Sequence, residues 1–164
     1  MTRSDLAQHF ASLGFTRGAE IGVERGKFAE VLCKAIPGLV LLAVDAWARK
    51  PGYREHVSQE QLEDIEADAR RRLKPYGALV VKGASIDVAR GIPAGSLDFV
   101  YLDADHSEAE VTADIMAWLP KVRPGGVLAG HDFNLPGVKA AVSAAALKFQ
   151  TTDERSPSWW FTRG

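Results

Sequence analysis

Short apolar runs recur along the chain, and each of them ends at a polar residue or a glycine. Strands that are buried on both faces of a parallel sheet need such continuous runs. The predicted strands are 19–23, 39–44, 78–81, 97–102 and 127–129. The segments between them repeat apolar residues at helical spacing, as from Leu62 to Leu73. This alternation predicts an α/β fold with a doubly wound, mostly parallel sheet and right-handed crossovers.

The two ends of the chain also show regular patterns. Leu6 and Phe10 share one face of a helix that Ser4 is expected to cap, and this helix would pack across the core or over a ligand site. An alanine-rich helix is predicted at 137–149. No linker, repeat or low-complexity tract divides the 164 residues, so we predict one domain, with the helix in 1–16 preceding its core.

Composition narrows the classes of partner. The net charge of −1, with 46% hydrophobic and 25% charged residues, argues against a disordered chain and against nucleic acid or an anionic membrane as the partner. Cys33 is the only cysteine, so neither a disulfide framework nor a thiolate metal site is available. The N-terminus shows no secretory signal, and no window approaches a membrane span. We expect a cytoplasmic protein with a small-molecule partner.

The first predicted strand leads into a turn with two glycines, Gly22 and Gly26, followed by a helix with an apolar face. Paired glycines here indicate a sharp turn or a backbone that contacts a ligand, and the first amides of the helix could donate to an anion. A tight turn without a ligand is the alternative. A dinucleotide loop would have its first glycine at Glu20, whose carboxylate would repel a pyrophosphate. A nicotinamide oxidoreductase is therefore disfavoured.

Polar side chains follow the predicted strands at the ends where parallel sheets bind ligands. They are Glu20, Asp45, Ser85, Asp103, His106, His131 and Asp132. Asp45 follows the second strand, where a carboxylate can accept hydrogen bonds from a ribose diol. Without a pyrophosphate loop, a nucleoside with an amino acid tail fits better than a dinucleotide. Residues 22–26 would hold the tail, and Ala84 and Ser85 would lie beside the base.

Four features occur in a fixed order along the chain. They are Glu20-x-Gly22-x-x-x-Gly26, Asp45, the segment LDFVYLDADH at 97–106 and the segment LPKVRPGG at 119–126. Together they resemble the class I S-adenosylmethionine-dependent methyltransferases, in particular a small group whose strand 4 ends in Asp-x-Asp-His and whose strand 5 ends in His-Asp. The resemblance implies a Rossmann-like sheet of seven strands, with a short sixth strand at 149–152 and an antiparallel last strand at 158–162.

The same resemblance implies a binding site for S-adenosylmethionine. The implied residues are Glu20, Gly22, Val23, Gly26, Asp45, Ala46, Trp47, Ala84, Ser85 and Asp103. The group around Gly22 would hold the methionine end, and Asp45 would bind the ribose hydroxyls. Ala46 or Trp47 would lie against adenine, with Ser85 near its edge. For Trp47, the alternative is that it anchors its loop.

A narrower resemblance concerns a metal site. Caffeoyl-CoA and catechol O-methyltransferases have a metal-binding aspartate after strand 4 and an Asp-Asn pair after strand 5. Asp103, His131 and Asp132 stand at these positions and would bind a divalent metal. The histidine disfavours Mg²⁺, which prefers oxygen ligands, and favours Mn²⁺, Fe²⁺ or Zn²⁺. The alternative is that these side chains only hydrogen-bond to one another.

His106 stands where the caffeoyl-CoA enzymes have a lysine. It would take the proton of a hydroxyl during methyl transfer, with Asp103 as the other catalytic residue. The resemblance thus implies O-methylation of a small molecule, and a non-catalytic protein that binds S-adenosylmethionine or S-adenosylhomocysteine is the alternative. Few segments remain to enclose an acceptor. Either the acceptor is exposed and bulky, or a second subunit closes the site in a homodimer.

Overall fold

The structure, a computed structural model, describes residues 1–146 and 148–164. Its strands are β1 Arg17–Ile21, β2 Val40–Asp45, β3 Leu79–Lys82, β4 Leu97–Leu102, β5 Val122–Gly130, β6 Gln150–Thr151 and β7 Trp159–Thr162. Within these residues they form a seven-stranded sheet in the order β3-β2-β1-β4-β5-β7-β6. The first five strands are parallel, whereas β7 runs antiparallel to β5 and β6. The predicted Rossmann-like sheet with its antiparallel last strand is confirmed.

Helices cover both faces of this sheet. They are α1 Arg3–Ser12, α2 Lys27–Ala35, α3 Gln59–Leu73, α4 Ser85–Arg90, α5 Glu108–Trp118 and α6 Pro136–Ala145. The first three pack on one face around Phe99 and Tyr101, and the last three pack on the other face around Val100 and Leu128. Successive strand residues point to opposite faces, which is why continuous apolar runs fill both layers. In the part of the chain that the structure describes, no helix is long and apolar enough to cross a membrane.

The N-terminal helix starts earlier than its sequence pattern predicts. Thr2, not Ser4, caps α1, because the Thr2 hydroxyl accepts from the Asp5 N–H while the Asp5 carboxylate accepts from the Thr2 N–H. Phe10 of this helix is fully buried, and its ring centre lies 4.8 Å from that of Phe99. The helix therefore packs across the sheet and is itself part of the core.

Two other predicted elements have different boundaries in the structure. β5 begins at Val122 rather than at residue 127, because residues 124–126 continue the strand through a shift of register against β4. α6 ends at Ala145 rather than at residue 149, and Leu147, which falls within the predicted helix, lies outside the described residues. After α6 the chain forms β6, which pairs with β7 and lies within the sixth strand that the resemblance implies at 149–152.

Phe10→Ala measures the contribution of α1 to the core. Removing a fully buried phenylalanine leaves a cavity, so we expect the free energy of unfolding to fall by about 3 kcal/mol in urea titrations. Met116→Ala is the matched control, because Met116 is an exposed apolar residue on a helix and its truncation should change stability by less than about 0.5 kcal/mol. Equal stability of the two variants would show that α1 is not docked in solution.

Candidate active site

Hydrogen bonds just beyond the strand ends fix the segments of the candidate site relative to one another. The Gly22 N–H donates to the Val44 carbonyl at 2.8 Å, and the Asp103 N–H donates to the Ile21 carbonyl at 2.7 Å. The His131 N–H likewise donates to the end of β4, at 3.0 Å. β1, β2, β4 and β5 therefore end at one edge of the sheet, and the polar residues that follow them meet there.

The two glycines of the first turn have different tasks. Gly22 has a φ of +90°, and a Cβ at this position would lie 2.1 Å from the Asp103 carbonyl oxygen, so the two backbones can meet only through a glycine. Gly26 has a φ of +73° and is the N-cap residue of α2. A Cβ there would lie 3.3 Å from Ala69 Cα in α3, so this glycine serves helix packing.

A cavity of about 310 Å³ opens at this edge, a volume at the lower end for small-molecule sites. The predicted cofactor-binding residues that line it are Gly22, Asp45, Ala46, Ala84 and Ser85. Its other apolar walls come from Ile21, Val44, Ala48 and Ile86, and its polar lining includes Lys50, Tyr53, Asp105, Glu110 and Asp114. The cavity thus combines apolar walls with several polar and charged groups.

The remaining predicted cofactor-binding residues lie outside this cavity. They are Glu20, Val23, Gly26, Trp47 and Asp103. Trp47 is fully buried in the core, and its Nε1 donates to the Glu24 carbonyl at 2.9 Å. The indole therefore anchors its loop, and the alternative in which it lies against adenine is not what the structure shows. Burial of this large apolar ring, with its one donor satisfied, explains the difference.

Glu20 also faces away from the cavity. Glu20 and Ile21 are successive strand residues, so their side chains point to opposite faces of the sheet. Ile21 lines the cavity, whereas Glu20 is only 1% exposed on the face covered by α1 and α2. Burial raises the pKa of Glu20 well above its ordinary value, although the nearby Arg3 opposes this effect. Glu20 Oε2 has no hydrogen-bond partner within the described residues.

Arg3 is the residue of α1 that reaches the edge of the sheet. Its Nη2 donates to Asp103 Oδ2 at 2.6 Å and lies 3.9 Å from Glu20 Oε1. Its guanidinium stacks over the Phe28 ring, 3.9 Å from the ring centre. Asp103 therefore already has a cationic partner in this conformation.

Asp45 is saturated by donors from the protein itself. Its carboxylate accepts from the backbone N–H groups of Glu24 and Trp47, both at 2.8 Å. Arg54 binds both of its oxygens, at 2.8 and 3.2 Å. The Asp45 side chain is only 3% exposed, so this arrangement satisfies a carboxylate that has lost most of its water.

Arg54 belongs to the loop 46–57, which covers the cavity. The Tyr53 hydroxyl donates to the Ala104 carbonyl at 3.2 Å, and both residues line the cavity. Lys50 Nζ lies 3.1 Å from a carboxylate oxygen of Asp105 and 3.1 Å from one of Glu110. The loop is thus fastened to the segment after β4 and to α5.

The residues predicted to bind a metal converge next to the cavity. Possible ligand atoms of Asp103, His131 and Asp132 lie within 4.8 Å of one another, which fits a three-ligand site for a divalent cation. His106 Nε2 lies 3.0 Å from Asp132 Oδ2. Asp103 and Asp132 raise the pKa of His106 above its ordinary value, although burial opposes them. We refer to these four residues as the Asp-His cluster.

Several polar residues of the site lie outside the sequence-based prediction, among them Arg3, Arg54 and Asp114. Of these three residues, only Asp114 could have been identified from the sequence. It shares a face of α5 with Val111 and Trp118, which are buried, and a carboxylate on an apolar helix face calls for a partner. Neither arginine stands in a pattern that separates it from other surface cations.

The chain belongs to a methyltransferase family. The family model described as a methyltransferase domain matches residues 19–133, which is more than half of the chain and includes every predicted site residue. This match confirms the predicted class of enzyme, the S-adenosylmethionine-dependent methyltransferases of class I. No curated protein matches the chain.

Solved structures of methyltransferases share the fold at low sequence identity. An O-methyltransferase from Bacillus cereus in complex with SAH is 16% identical, with a TM-score of 0.73 over 98% of this chain and 80% of its own. The O-methyltransferase from Streptomyces achromogenes involved in tomaymycin synthesis, in complex with SAM, is 16% identical, with a TM-score of 0.72 over 99% and 80%. An O-methyltransferase family protein from Burkholderia thailandensis is 16% identical, with a TM-score of 0.69 over 98% and 55%.

Arg3→Met tests whether Arg3 competes with a cation at Asp103. The substitution keeps an apolar stem over Phe28 but removes the charge that neutralises Asp103. We expect calorimetric titration with Mn²⁺ to give an affinity about fivefold higher than for the unmodified protein, which corresponds to about 1 kcal/mol for a partly buried ion pair. Arg90→Met, which removes an exposed arginine that forms a surface ion pair with Asp87, should leave the affinity unchanged. An unchanged affinity in Arg3→Met would show that Arg3 does not compete with a cation for Asp103.

Proposed function

We propose that this chain transfers the methyl group of S-adenosylmethionine to an oxygen atom of a small molecule. The observation that carries the proposal is a nucleoside-sized cavity with Asp45 in its wall, next to the Asp-His cluster at the same edge of the sheet. A carboxylate after the second strand suits a ribose diol. The complexes of the B. cereus and S. achromogenes proteins with SAH and SAM support the choice of cofactor.

In this proposal the adenosine of the cofactor occupies the cavity. Asp45 binds the ribose hydroxyls, and the base lies between Ala46 and the Ala84–Ser85 corner. The methionine end runs along Gly22 towards Asp103, with Glu20, Val23 and Gly26 shaping the turn behind it. Because Arg54 holds both oxygens of Asp45, the ribose must displace it, and the loop 46–57 must move as the cofactor enters.

The sulfonium of the cofactor already activates the methyl group. The protein therefore needs chiefly to align the acceptor oxygen with that group and to exclude water. The acceptor oxygen attacks the methyl carbon in line with the sulfur, the carbon–sulfur bond breaks, and the hydroxyl proton leaves. His106 takes this proton, next to the carboxylate of Asp103. In the protein without a bound cation, Asp103 and Asp132 raise the pKa of His106 above its ordinary value, so transfer should accelerate as the pH rises through that pKa and the neutral imidazole becomes populated. A cation bound to these two carboxylates would remove this cause of the shift.

The proposal includes a divalent cation held by Asp103, His131 and Asp132. The mixed oxygen and nitrogen donor set favours Mn²⁺, Fe²⁺ or Zn²⁺ over Mg²⁺. When bound, such a cation would orient the acceptor oxygens and lower the pKa of the reacting hydroxyl. Arg3 would have to release Asp103 for the cation to bind.

The remaining properties of the enzyme stay predictions. The nearly neutral charge supports a small-molecule acceptor rather than nucleic acid or a membrane surface. A cytoplasmic location and a homodimer that closes the acceptor side of the site are part of the same proposal.

Calorimetric titration with S-adenosylhomocysteine tests the cofactor. We expect saturable binding both with a chelator and with added Mn²⁺, and an affinity at least about tenfold lower in Asp45→Asn, because the neutral amide is a weaker acceptor for the ribose hydroxyls. Asp87→Asn is the matched control, since Asp87 is an exposed aspartate whose side chain does not line the cavity. Absence of binding in the unmodified protein would contradict the proposal.

His106→Gln tests the catalytic role. The transfer rate to a responsive acceptor from a panel of hydroxylated aromatic molecules should fall by about a hundredfold, because a general base contributes at least this factor. Binding of S-adenosylhomocysteine should stay unchanged. His9→Gln is the control, because His9 lies on α1, outside the cavity, the loop 46–57 and the Asp-His cluster. Full binding without transfer to any acceptor would favour the non-catalytic alternative.

A further inference from the structure

The ion pair between Arg3 and Glu20 is buried but incompletely formed. The Arg3 Nε and Glu20 Oε2 atoms are both buried, and neither has a hydrogen-bond partner within the described residues. Arg3 Nη2 lies 3.9 Å from Glu20 Oε1, which is too long for a hydrogen bond. Charged groups that have lost their water are costly when their donors and acceptors stay unpaired. The two side chains therefore have a capacity for hydrogen bonds that this conformation does not use.

Glu20 is the less satisfied of the two partners. Among the residues that the structure describes, Arg3 is the one cation that forms an ion pair with it. Burial raises the pKa of Glu20 well above its ordinary value, Arg3 opposes this shift, and Asp103 and Asp45 add to it. At 3.9 Å the charge of Arg3 thus offsets only part of the cost of burying the carboxylate. A closer approach of the guanidinium would offset more of it.

The Arg3 guanidinium lies between two carboxylates. Glu20 is paired with Tyr101 across β1 and β4, and Asp103 follows Tyr101 by two residues, so both carboxylates neighbour the Tyr101 ring. The guanidinium carbon lies 4.9 Å from the centre of this ring and 3.9 Å from that of Phe28. The rings support a flat cation without fixing it through hydrogen bonds. A shift of about 1 Å across them would bring Arg3 Nη2 within hydrogen-bond distance of Glu20.

The helix that carries Arg3 is fixed by other contacts. Just before α1 begins, the Met1 carbonyl accepts a hydrogen bond from the Asp153 N–H at 2.9 Å. Further along α1, Phe10 is fully buried. Only the long side chain of Arg3 must therefore move for the guanidinium to pass from Asp103 to Glu20.

We propose that Glu20 is a positioning residue for the cation site, which takes up the Arg3 guanidinium when a divalent cation binds Asp103. This role rests on the proposed function, in which the cation displaces Arg3. A displaced guanidinium without a second anion would remain as an unpaired, largely buried charge and would repel the incoming cation. Pairing with Glu20 neutralises the guanidinium and draws it away from Asp103. Glu20 thus makes Asp103 available to the cation.

A double-mutant cycle in urea, with a chelator present, tests the second position of Arg3 without a metal. Asp103→Asn removes the charge that holds Arg3, so Glu20 becomes its remaining anionic partner. Glu20→Gln should raise the unfolding equilibrium constant at least about tenfold more in the Asp103→Asn background than in the unmodified protein, because it leaves a largely buried cation without an anion. Glu63→Gln, which changes an exposed glutamate of α3, should have the same small effect in both backgrounds.

Equal effects of Glu20→Gln in the two backgrounds would overturn the second position of Arg3 and leave the proposed function standing. The cycle compares ratios of unfolding constants, so any general effect of burying an amide at position 20 cancels.

Calorimetric titration with Mn²⁺ tests the positioning role itself. With Arg3 intact, Glu20→Gln should lower the affinity about tenfold, because Arg3 then stays at Asp103. In the Arg3→Met background the same substitution should change the affinity by less than about twofold, because no guanidinium has to be displaced. An equal loss in both backgrounds would show that Glu20 acts on the cation directly through its charge and would overturn the role. Absence of Mn²⁺ binding in the unmodified protein would overturn both this role and the cation of the proposed function.

Discussion

The contact between the backbones of Gly22 and Asp103 is the constraint on which the site depends. Any side chain at position 22 would overlap the Asp103 carbonyl, so the first turn and the end of β4 can approach each other only through a glycine. This contact places the cavity and the Asp-His cluster side by side. A methyl donor in the cavity and an acceptor at the cluster would then meet at a distance that the sheet, not a mobile loop, determines.

Two carboxylates at this edge have arginine partners from segments outside the sheet. Arg54 from the loop 46–57 holds Asp45, and Arg3 from α1 holds Asp103. Carboxylates that have lost their water need such partners in the ligand-free protein. Ligand binding in the proposed function is therefore an exchange, in which ribose hydroxyls replace one guanidinium and a cation replaces the other, so that neither carboxylate is left unpaired.

Much of the fold and part of the site could be predicted from the order of residues. A strand that is buried on both faces must be apolar throughout, so the apolar runs of the sequence are sufficient to identify β1 to β5. Residues at the ends of such strands share one edge, which is why Gly22, Asp45 and Ser85 were correctly expected to lie together. The convergence of Asp103, His131 and Asp132 follows from the same geometry.

The sequence by itself determined where β1 to β5 form and which polar residues directly follow them, because both depend on local periodicity. Only the tertiary structure decided which side chains touch. Arg3 and Asp103 are 100 positions apart, and no local pattern pairs them. The direction of Glu20 away from the cavity, the burial of Trp47 and the approach of Asp114 from α5 all depend on how helices pack on the two faces of the sheet. Packing is a property of surfaces brought together by folding, and it leaves little trace in the neighbouring residues of the chain.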